Sequence, residues 1–234
     1  MGSLKNMKIS EMTVSLIDKM GTDLSVVNAA RVSFEKTSEY EVNPETNVER
    51  LKESDCKLIN YLAKHEHFTP FCHAFLSFRI KAPIFVARQL VKHQVGLSWN
   101  EVSRRYVDSE PEFWFPKEWR GKPENAKQGS SGIVELPDDN DDYYIESTIN
   151  GTLNLYNYLL ACDVAPEMAR MVLPLNTMTE WIWSGSLLAF IRVCKLRCDG
   201  HAQQETQFIG MELYKHLDEH FPNSIQAYFG INVK

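Results

Sequence analysis

The sequence predicts an α+β protein, a single helix-rich domain over residues 1–234 with a small mixed or antiparallel sheet. Apolar residues alternate in two segments, 12–21 and 73–82, which is typical of half-buried strands. Much of the remaining chain has apolar residues at helical spacing. No linker rich in Gly, Ser or Pro divides the 234 residues, so one large domain is favoured over two, although domains usually have about 100 to 200 residues.

The first half of the chain combines strands with short helices. Pro83 is well placed to begin the helix IFVARQLVKH, because proline is favoured in the first helical turn. Gly96 follows this helix and can adopt a left-handed backbone conformation. In chain order, the predicted elements of this half are a strand at 12–21, a capped helix at 23–30, a helix at 48–65, a strand at 73–82 and the helix after Pro83.

Residues 107–145 are predicted to form a long loop or insertion. The segment is acidic, contains Pro and Gly, and carries Trp114, Phe115 and Trp119, which we expect to hold it against the protein. Loops of this length are often functional or lie at subunit contacts, and a functionless insertion is the alternative. Helical periodicity then returns in four segments, which are 143–163, 166–173, 181–194 and 201–221.

The composition restricts the classes of partner. The formal net charge of -6 argues against a general nucleic-acid binder, because nonspecific affinity comes mainly from phosphate neutralisation by Lys and Arg. No uninterrupted apolar run approaches the roughly 18 to 20 residues that span a bilayer, and the polar start lacks a signal-peptide core. We therefore expect a cytoplasmic protein that binds neither nucleic acid nor membrane.

No metal is expected. The five cysteines form no disulfide framework, and Cys194 and Cys198 lack the two-residue gap of a zinc knuckle. His65, His67 and His73 lie within nine residues, but no later segment supplies a convincing second pair of ligands. Histidine also suits proton transfer or hydrogen bonding to a bound ring, and solvated or capping histidines are the alternative.

A second polar cluster occupies residues 92–105. Guanidinium groups grip phosphate, and serine hydroxyls or backbone N–H groups complete such a cradle. The pattern is therefore typical of a site for an anionic, hydrogen-bonding small molecule, and the alternative is a solvated helix end. The polar residues of the cluster are Lys92, His93, Gln94, Ser98, Asn100, Glu101, Ser103, Arg104 and Arg105.

Arg170 and Arg197 form a third feature, since both lie in otherwise apolar sequence. An arginine in such surroundings is rarely tolerated without an anionic or carbonyl partner. A bound ligand could supply that partner. A buried structural ion pair with a neighbouring Glu is the competing explanation, and periodicity does not choose between the two.

Six motifs in order resemble those of the flavin-dependent thymidylate synthases, the ThyX family. They cover most of the chain outside residues 107–145. The motifs are ARVSF at 30–34, HxxPF at 67–71, KAPIFVARQ at 81–89, NExSxRY at 100–106, ARxVLPLN at 169–176 and LRxDxHAQxE at 196–205.

The resemblance implies a homotetramer that binds FAD and converts dUMP to dTMP. Methylenetetrahydrofolate would donate the carbon, NADPH would be the reductant, and tetrahydrofolate would be released. No enzyme nucleophile is required, because the family arginine that matches Arg197 binds and activates the uracil ring. Reduced flavin, rather than the folate, delivers the hydride to the nucleotide in this family.

The resemblance also assigns residues to the two ligands. Arg170 should reach the nucleotide from a neighbouring subunit, and Arg104 and Arg105 together should grip the phosphate. The complete set expected at dUMP is Gln89, Glu101, Ser103, Arg104, Arg105, Arg170 and Arg197. The set expected at FAD is Ser33, His67, Lys92, His93, Gln94, Asn100 and His201.

The chain departs from the family pattern beside these residues. The family signature is RHR followed by seven residues and a serine, whereas here it is KHQ with eight residues between Gln94 and Ser103. Lys92 still supplies a charge, but the Gln94 amide does not. Cys72 stands where the family has Glu, and Arg192 stands where relatives often have Asn. The changes put individual flavin contacts in question more than the nucleotide contacts.

Two further functions remain as alternatives. A non-catalytic nucleotide-binding homologue would keep the dUMP arginines and lose flavin through the KHQ change. A His-rich, metal-dependent nucleotide hydrolase would require stoichiometric zinc or iron. A cysteine nucleophile, Cys72 or Cys198, would need a lowered pKa and an ordering base, so both thiols are expected to be bystanders.

Overall fold

The computed structural model describes residues 7–107, 109–123, 129–138 and 141–230. None of the helices in these ranges is both long and apolar enough to cross a membrane. The strands are β1 (Lys8–Ile9), β2 (Thr13–Met20), β3 (Glu41–Val42), β4 (Glu49–Arg50), β5 (Phe75–Pro83), β6 (Leu97–Glu101), β7 (Glu112–Phe113) and β8 (Met178–Ser186). The helices are α1 (Asp23–Arg31), α2 (Glu53–Lys64), α3 (Ile84–Leu90), α4 (Asp141–Ala161), α5 (Pro166–Ala169), α6 (Leu187–Arg197), α7 (Gln204–His220) and α8 (Pro222–Phe229).

A four-stranded antiparallel sheet in the order β2-β5-β8-β6 forms the centre of the fold. The alternation that predicted β5 corresponds to buried Leu76, Phe78 and Ile80 on one face of the sheet. β1 and β7 form a separate parallel pair, and β3 and β4 form a small antiparallel pair. The predictions of a helix-rich α+β fold, a small sheet and strands at 12–21 and 73–82 are confirmed.

The helices bury two cores of unequal size. The larger core lies between the sheet and helices including α6 and α7, where the ring of Phe78 meets Phe190 edge to face at 5.0 Å. The smaller core joins β7 to α4 and α5 through Phe113, Leu153, Tyr156 and Ala169. The smaller core therefore ties the middle of the chain to the segment before β8.

The prediction of one helix over 181–194 is wrong in its first half. Residues up to Ser186 continue β8, and α6 begins immediately afterwards. The Ser186 hydroxyl accepts a hydrogen bond from the backbone N–H of Ala189 at 3.2 Å, so it caps the new helix. A mostly apolar run suits a buried strand and a buried helix equally, which is why spacing failed to separate them.

Residues 97–101 of the 92–105 cluster form a strand, β6, and not the end of a helix. Gly96 has a φ of 74°, a left-handed conformation that lets the chain pass from the turn after α3 into β6. Gly185 on β8 then admits the backbone of β6, because a Cβ at this position would lie 2.4 Å from the Gly96 carbonyl oxygen. Trp99 on β6 stacks on Trp181 of β8 with ring centroids 4.3 Å apart, which adds side-chain packing to the strand pairing.

Other element boundaries also differ from the predictions. The loop predicted at 107–145 contains β7, and α4 begins within it at Asp141. The helix predicted at 48–65 begins at Glu53, because residues 49 and 50 pair with β3. The helix predicted at 166–173 is α5 followed by a 3-10 turn at Arg170–Val172, and α7 begins at Gln204 rather than at 201.

Glu112 on β7 provides a test of how the β1 and β7 pair is fastened to the sheet. Its carboxylate accepts hydrogen bonds from Lys8 of β1 and Lys81 of β5, and these bonds lower the pKa of Glu112 from 4.5 to about 2. A lowered carboxyl pKa contributes stability that is present above pH 4.5 and is lost as the pH falls towards 2.

We expect Glu112→Gln to lower the thermal midpoint at pH 7 and to flatten its dependence on pH between about 4.5 and 2. The measurement is thermal unfolding followed by circular dichroism at several pH values. The control is Glu41→Gln, which removes an exposed partner of Arg50 and should change little. An unchanged pH profile in Glu112→Gln would contradict the assignment.

Candidate active site

Arg197, at the C-terminal end of α6, is held by one acceptor in α3 and one in the turn that follows α3. Its Nε donates to His93 Nε2 at 2.9 Å, and one Nη donates to the Gln89 carbonyl oxygen at 3.3 Å. Gly210 of α7 allows this placement, since a Cβ there would lie 2.9 Å from the Cβ of Arg197. Arginine has five N–H donors, so three of them remain for a ligand.

The electrostatics of this pair favour a neutral His93. Burial, followed by the charge of Arg197, lowers the pKa of His93. A neutral imidazole keeps the Nε2 lone pair that accepts from Arg197, whereas a protonated ring would have none. Burial also lowers the pKa of Arg197, but a guanidinium remains charged at neutral pH.

Arg197 has no carboxylate partner among the described residues, and neither has Arg170. The alternative of buried structural ion pairs is therefore wrong for both. Arg197 has the carbonyl partner that the sequence led us to expect, and exposed Arg170 donates to the Glu167 carbonyl oxygen at 3.2 Å. A half-buried cation without a counter-ion favours an incoming ligand oxygen.

The side chain of Gln89 belongs to the same cluster. Its amide donates to Gln203 and accepts from the Thr206 hydroxyl at 3.2 Å. Gln203 in turn donates to the Glu205 carboxylate at 2.8 Å. Since one amide N–H of Gln89 stays free, this residue offers a single oriented donor to a ligand beside Arg197.

Arg120 extends this network into the 107–145 segment. It pairs with Glu205, which is only 4% exposed, and it donates to Gln204 and Ser130, each at 3.0 Å. The sequence analysis missed Arg120, Gln203, Glu205 and Thr206 as site residues. The HAQQE stretch at 201–205 was a signal for Gln203 and Glu205, but Arg120 lies 85 positions from its partner and had none.

A cleft of about 470 Å³ gathers Glu101, Arg104 and Arg170. The Glu101 carboxylate is oriented by Trp99 Nε1 at 3.0 Å and the Thr179 hydroxyl at 2.7 Å. Lys8, Lys81 and Ile84 are among the other lining residues. Ile84 begins α3, and Gln89 follows about one and a half turns later, so α3 connects the cleft to the Arg197 cluster.

The two adjacent arginines do not lie in the same environment. Arg104 lines the cleft and donates to the Ser109 carbonyl oxygen at 2.8 Å. Arg105 is exposed, lies 4.9 Å from the Tyr106 ring centroid and donates through its Nε to the Ser103 hydroxyl at 3.3 Å. One chain therefore presents one of the two guanidinium groups to the cleft.

Comparison with known proteins gives the family. The sequence profile of the family described as "Thymidylate synthase complementing protein" matches residues 15–223. The chain belongs to this family. It is 36% identical over 217 residues to the "Flavin-dependent thymidylate synthase" of Thermosipho africanus, with 91% of this chain and 89% of the relative covered. It is 38% identical over 217 residues to the protein of the same name from Kosmotoga olearia, with 92% of this chain and 89% of that relative covered.

Solved structures in the comparison are similar in fold as well. The UMP/dUMP methylase PolB from Streptomyces cacaoi, crystallised with 5-Br dUMP, has a TM-score of 0.78 and 27% identity, over 95% of this chain and 96% of that chain. The same enzyme with 5-Br UMP has a TM-score of 0.80 and 26% identity, over 97% of this chain and 96% of that chain. The membership that the ordered motifs predicted is confirmed.

The residues that the family resemblance assigned to FAD are mostly dispersed in a single chain. His93 contacts Arg197, and His201 shares with Arg197 a depression of about 280 Å³ while its Nδ1 lies 2.8 Å from Asp199. His67 is exposed with its ring 5.8 Å from that of Tyr61. The others are exposed and form no side-chain hydrogen bond within the described residues, and these are Ser33, Lys92, Gln94 and Asn100.

The Arg120 pair allows a test of how strongly the 107–145 segment is coupled to the family's HAQxE motif. Arg120→Met leaves the Glu205 carboxylate buried without its cation, which should cost about 3 kcal/mol of unfolding free energy. Urea denaturation of Arg120→Met, Glu205→Gln and the double variant gives the coupling energy, and the double variant should lose less than the sum.

The control for the Arg120 test is Arg50→Met, because Arg50 and Glu41 form an exposed pair. Its expected cost is about 0 to 1 kcal/mol. An Arg120→Met variant no less stable than Arg50→Met would show that the segment contributes little to the order of the site.

Proposed function

We propose that this protein is a flavin-dependent thymidylate synthase. It converts dUMP to dTMP, takes the carbon from methylenetetrahydrofolate, uses NADPH as reductant and releases tetrahydrofolate. Family membership, the names of the relatives from Thermosipho africanus and Kosmotoga olearia, and the nucleotide analogue bound to PolB support the proposal.

The observation that carries the proposal is the Arg197 guanidinium, which is half-buried, held at two atoms and without a carboxylate partner in the described residues. A pyrimidine that receives electron density at its ring develops negative charge on its carbonyl oxygens. A fixed donor fork stabilises this charge where it develops, without reorganising during the reaction. Arg197 is therefore the proposed electrostatic catalyst.

Neutral His93 serves as a positioning residue for this fork. Its lone pair orients the Arg197 Nε–H without placing a second positive charge beside the guanidinium. The free amide N–H of Gln89 points from the same cluster and supplies a directional donor to the base or sugar. Together the two residues restrict the orientation of the nucleotide at Arg197.

The cleft with Arg104 and Arg170 is the proposed phosphate and sugar site. Guanidinium groups bind phosphate through paired donors, and the oriented Glu101 carboxylate accepts from a sugar hydroxyl. Within one chain this cleft and the Arg197 cluster are separate groups of residues. We propose that a homotetramer combines them, so that the cleft of one subunit, with its Arg170, meets the Arg197 cluster of a neighbouring subunit.

The dispersed FAD residues fit a flavin nucleotide by their chemistry. Lys92 offers an ammonium for phosphate, Ser33, Gln94 and Asn100 offer neutral hydrogen bonds, and His67 and His201 offer rings. Gln94 keeps a hydrogen bond but not the charge of the family arginine. When bound, the reduced flavin supplies the hydride. We propose that these residues hold it between subunits.

The thiols are not proposed as nucleophiles. A hydrogen bond from the buried Cys194 thiol lowers the pKa of Cys198, and Cys72 donates to the Phe68 carbonyl oxygen at 3.7 Å. Neither Cys72 nor Cys198 is hydrogen-bonded to a His or carboxylate base within the described residues. A nucleophilic thiol needs such a base to be ordered and activated.

The test is the absorption spectrum of the purified full-length protein, followed by anaerobic addition of NADPH and then of dUMP with methylenetetrahydrofolate. We expect a yellow, tetrameric protein of 27.0 kDa chains whose flavin bleaches and then reoxidises with formation of dTMP and tetrahydrofolate. Stoichiometric dihydrofolate would contradict the flavin mechanism. A colourless protein that binds dUMP would indicate the non-catalytic homologue, and hydrolysis of dUMP that a chelator abolishes would indicate a metal-dependent hydrolase.

Two variants separate the proposed roles of Arg197 and Ser103. Arg197→Lys keeps the charge but removes the fork, so the rate of flavin reoxidation in a single turnover should fall roughly a hundredfold or more. Ser103→Ala removes one hydrogen-bonding hydroxyl and should weaken dUMP binding about tenfold at most. Both variants should retain their flavin. An inactive Ser103→Ala beside a near-normal Arg197→Lys would reverse these assignments.

A further inference from the structure

Three metal-ligating side chains lie together near the C-terminal end of α7. His216, Glu219 and His220 are spaced i, i+3 and i+4, which places them on one face of the helix. One donor atom from each lies within 4.8 Å of the other two. The two histidines are half-buried and Glu219 is exposed.

Some charged residues of α7 are paired, but the three side chains of the triad are not paired within the described residues. Glu212 pairs with Lys215 on the same helix. In contrast, His216, Glu219 and His220 form neither a side-chain hydrogen bond nor an ion pair with any residue in the described ranges. Three donor atoms that lie close together and have no partner within the described residues are available to a cation.

We propose that His216, Glu219 and His220 bind one divalent transition-metal ion, with Zn²⁺ as the physiological ligand. Two imidazoles and a carboxylate form a donor set that zinc favours, and water would complete the coordination. Zinc bonds to these donors are about 2.0 to 2.2 Å long, so tetrahedral donors lie roughly 3.3 Å apart. The donors therefore converge by changes of rotamer, with the helix backbone unchanged.

The packing of α7 makes this triad a prearranged site. The His216 ring lies 5.6 Å from the Phe78 ring of β5, and Leu213 and Leu217 are fully buried on the inner face of the helix. The backbone that carries the ligands is therefore held by the core before a metal binds. Preorganised ligands lose less conformational entropy on binding.

The position of the triad gives the metal a structural role. His216 lies twelve positions after the start of α7 at Gln204, which corresponds to about 18 Å along the helix axis. The ion would therefore lie far from the Gln203 and Glu205 network of the proposed nucleotide site. It would instead fasten the last turn of α7, which ends at His220 just before α8 begins at Pro222.

The experiment is titration of the full-length protein, freed of metal by a chelator, with Zn²⁺ by calorimetry and with Co²⁺ by visible absorption. We expect one ion per chain, a Co²⁺ d–d spectrum without a thiolate charge-transfer band, and a higher thermal midpoint with Zn²⁺. Since the five cysteines are unpaired thiols, the absence of the thiolate band excludes them as ligands, and the variants below assign the ion to the triad.

Matched variants separate ligation from charge. His220→Ala and Glu219→Gln should each weaken binding roughly tenfold to a hundredfold or more and abolish the rise in thermal midpoint. Glu212→Gln removes the same charge as Glu219→Gln from the same helix without touching the triad, so it should bind normally. His216→Ala also removes a contact with Phe78, so the two other variants carry the conclusion.

The proposal fails if His220→Ala and Glu219→Gln bind Zn²⁺ as the unmodified protein does, or if Co²⁺ shows thiolate coordination. It also fails in its structural part if a chelator abolishes dTMP formation without changing the thermal midpoint. It stands independently of the proposed synthase activity, because calorimetry and unfolding report on the triad in a protein that is catalytically inactive.

Discussion

The contact between Gly185 and the backbone at Gly96 is the constraint on which the site depends. Because Gly185 has no side chain, β6 can pair with β8 at that point, and the Ser186 N–H donates to the Gly96 carbonyl oxygen at 3.3 Å. β6 leads to Glu101 and Arg104, and β8 leads directly into α6, which ends at Arg197. One close backbone approach therefore sets where β6 and α6 begin, and these two elements lead to the residues that are proposed to bind the nucleotide.

Charge is concentrated locally in a protein whose net charge is -6. The cleft combines Lys8, Lys81, Arg104 and Arg170 with carboxylates that orient or neutralise part of the set. Arg197 is different, because its fixed partners are a neutral imidazole and a carbonyl oxygen. The cleft thus keeps part of its positive charge for an anionic phosphate, whereas at Arg197 a polarisable base must supply the counter-charge, and this combination suits a nucleotide.

The KHQ variation lies outside the Arg197 network. Lys92 and Gln94 are exposed, whereas His93 between them contacts Arg197. Losing two guanidinium groups therefore changes the surface assigned to the flavin and leaves the orientation of Arg197 intact. The Arg120 and Glu205 pair, by contrast, does touch a family motif. It fastens the 107–145 segment, which lies outside those motifs, to the LRxDxHAQxE motif that borders the Arg197 cluster.

The sequence by itself determined the family, the strands at 12–21 and 73–82, and the turn at Gly96. Motif order, alternation and the conformational freedom of glycine can be recognised without knowing which distant residues meet in the fold. It also indicated that Arg197 needed a carbonyl or anionic partner. Only the tertiary structure decided that Trp181 to Ser186 form a strand, since an apolar run suits strand and helix equally when its neighbours are unknown. The tertiary structure also separated Arg104 from Arg105 and joined Arg120 to Glu205 across 85 positions, because long-range pairing depends on packing that no local pattern encodes.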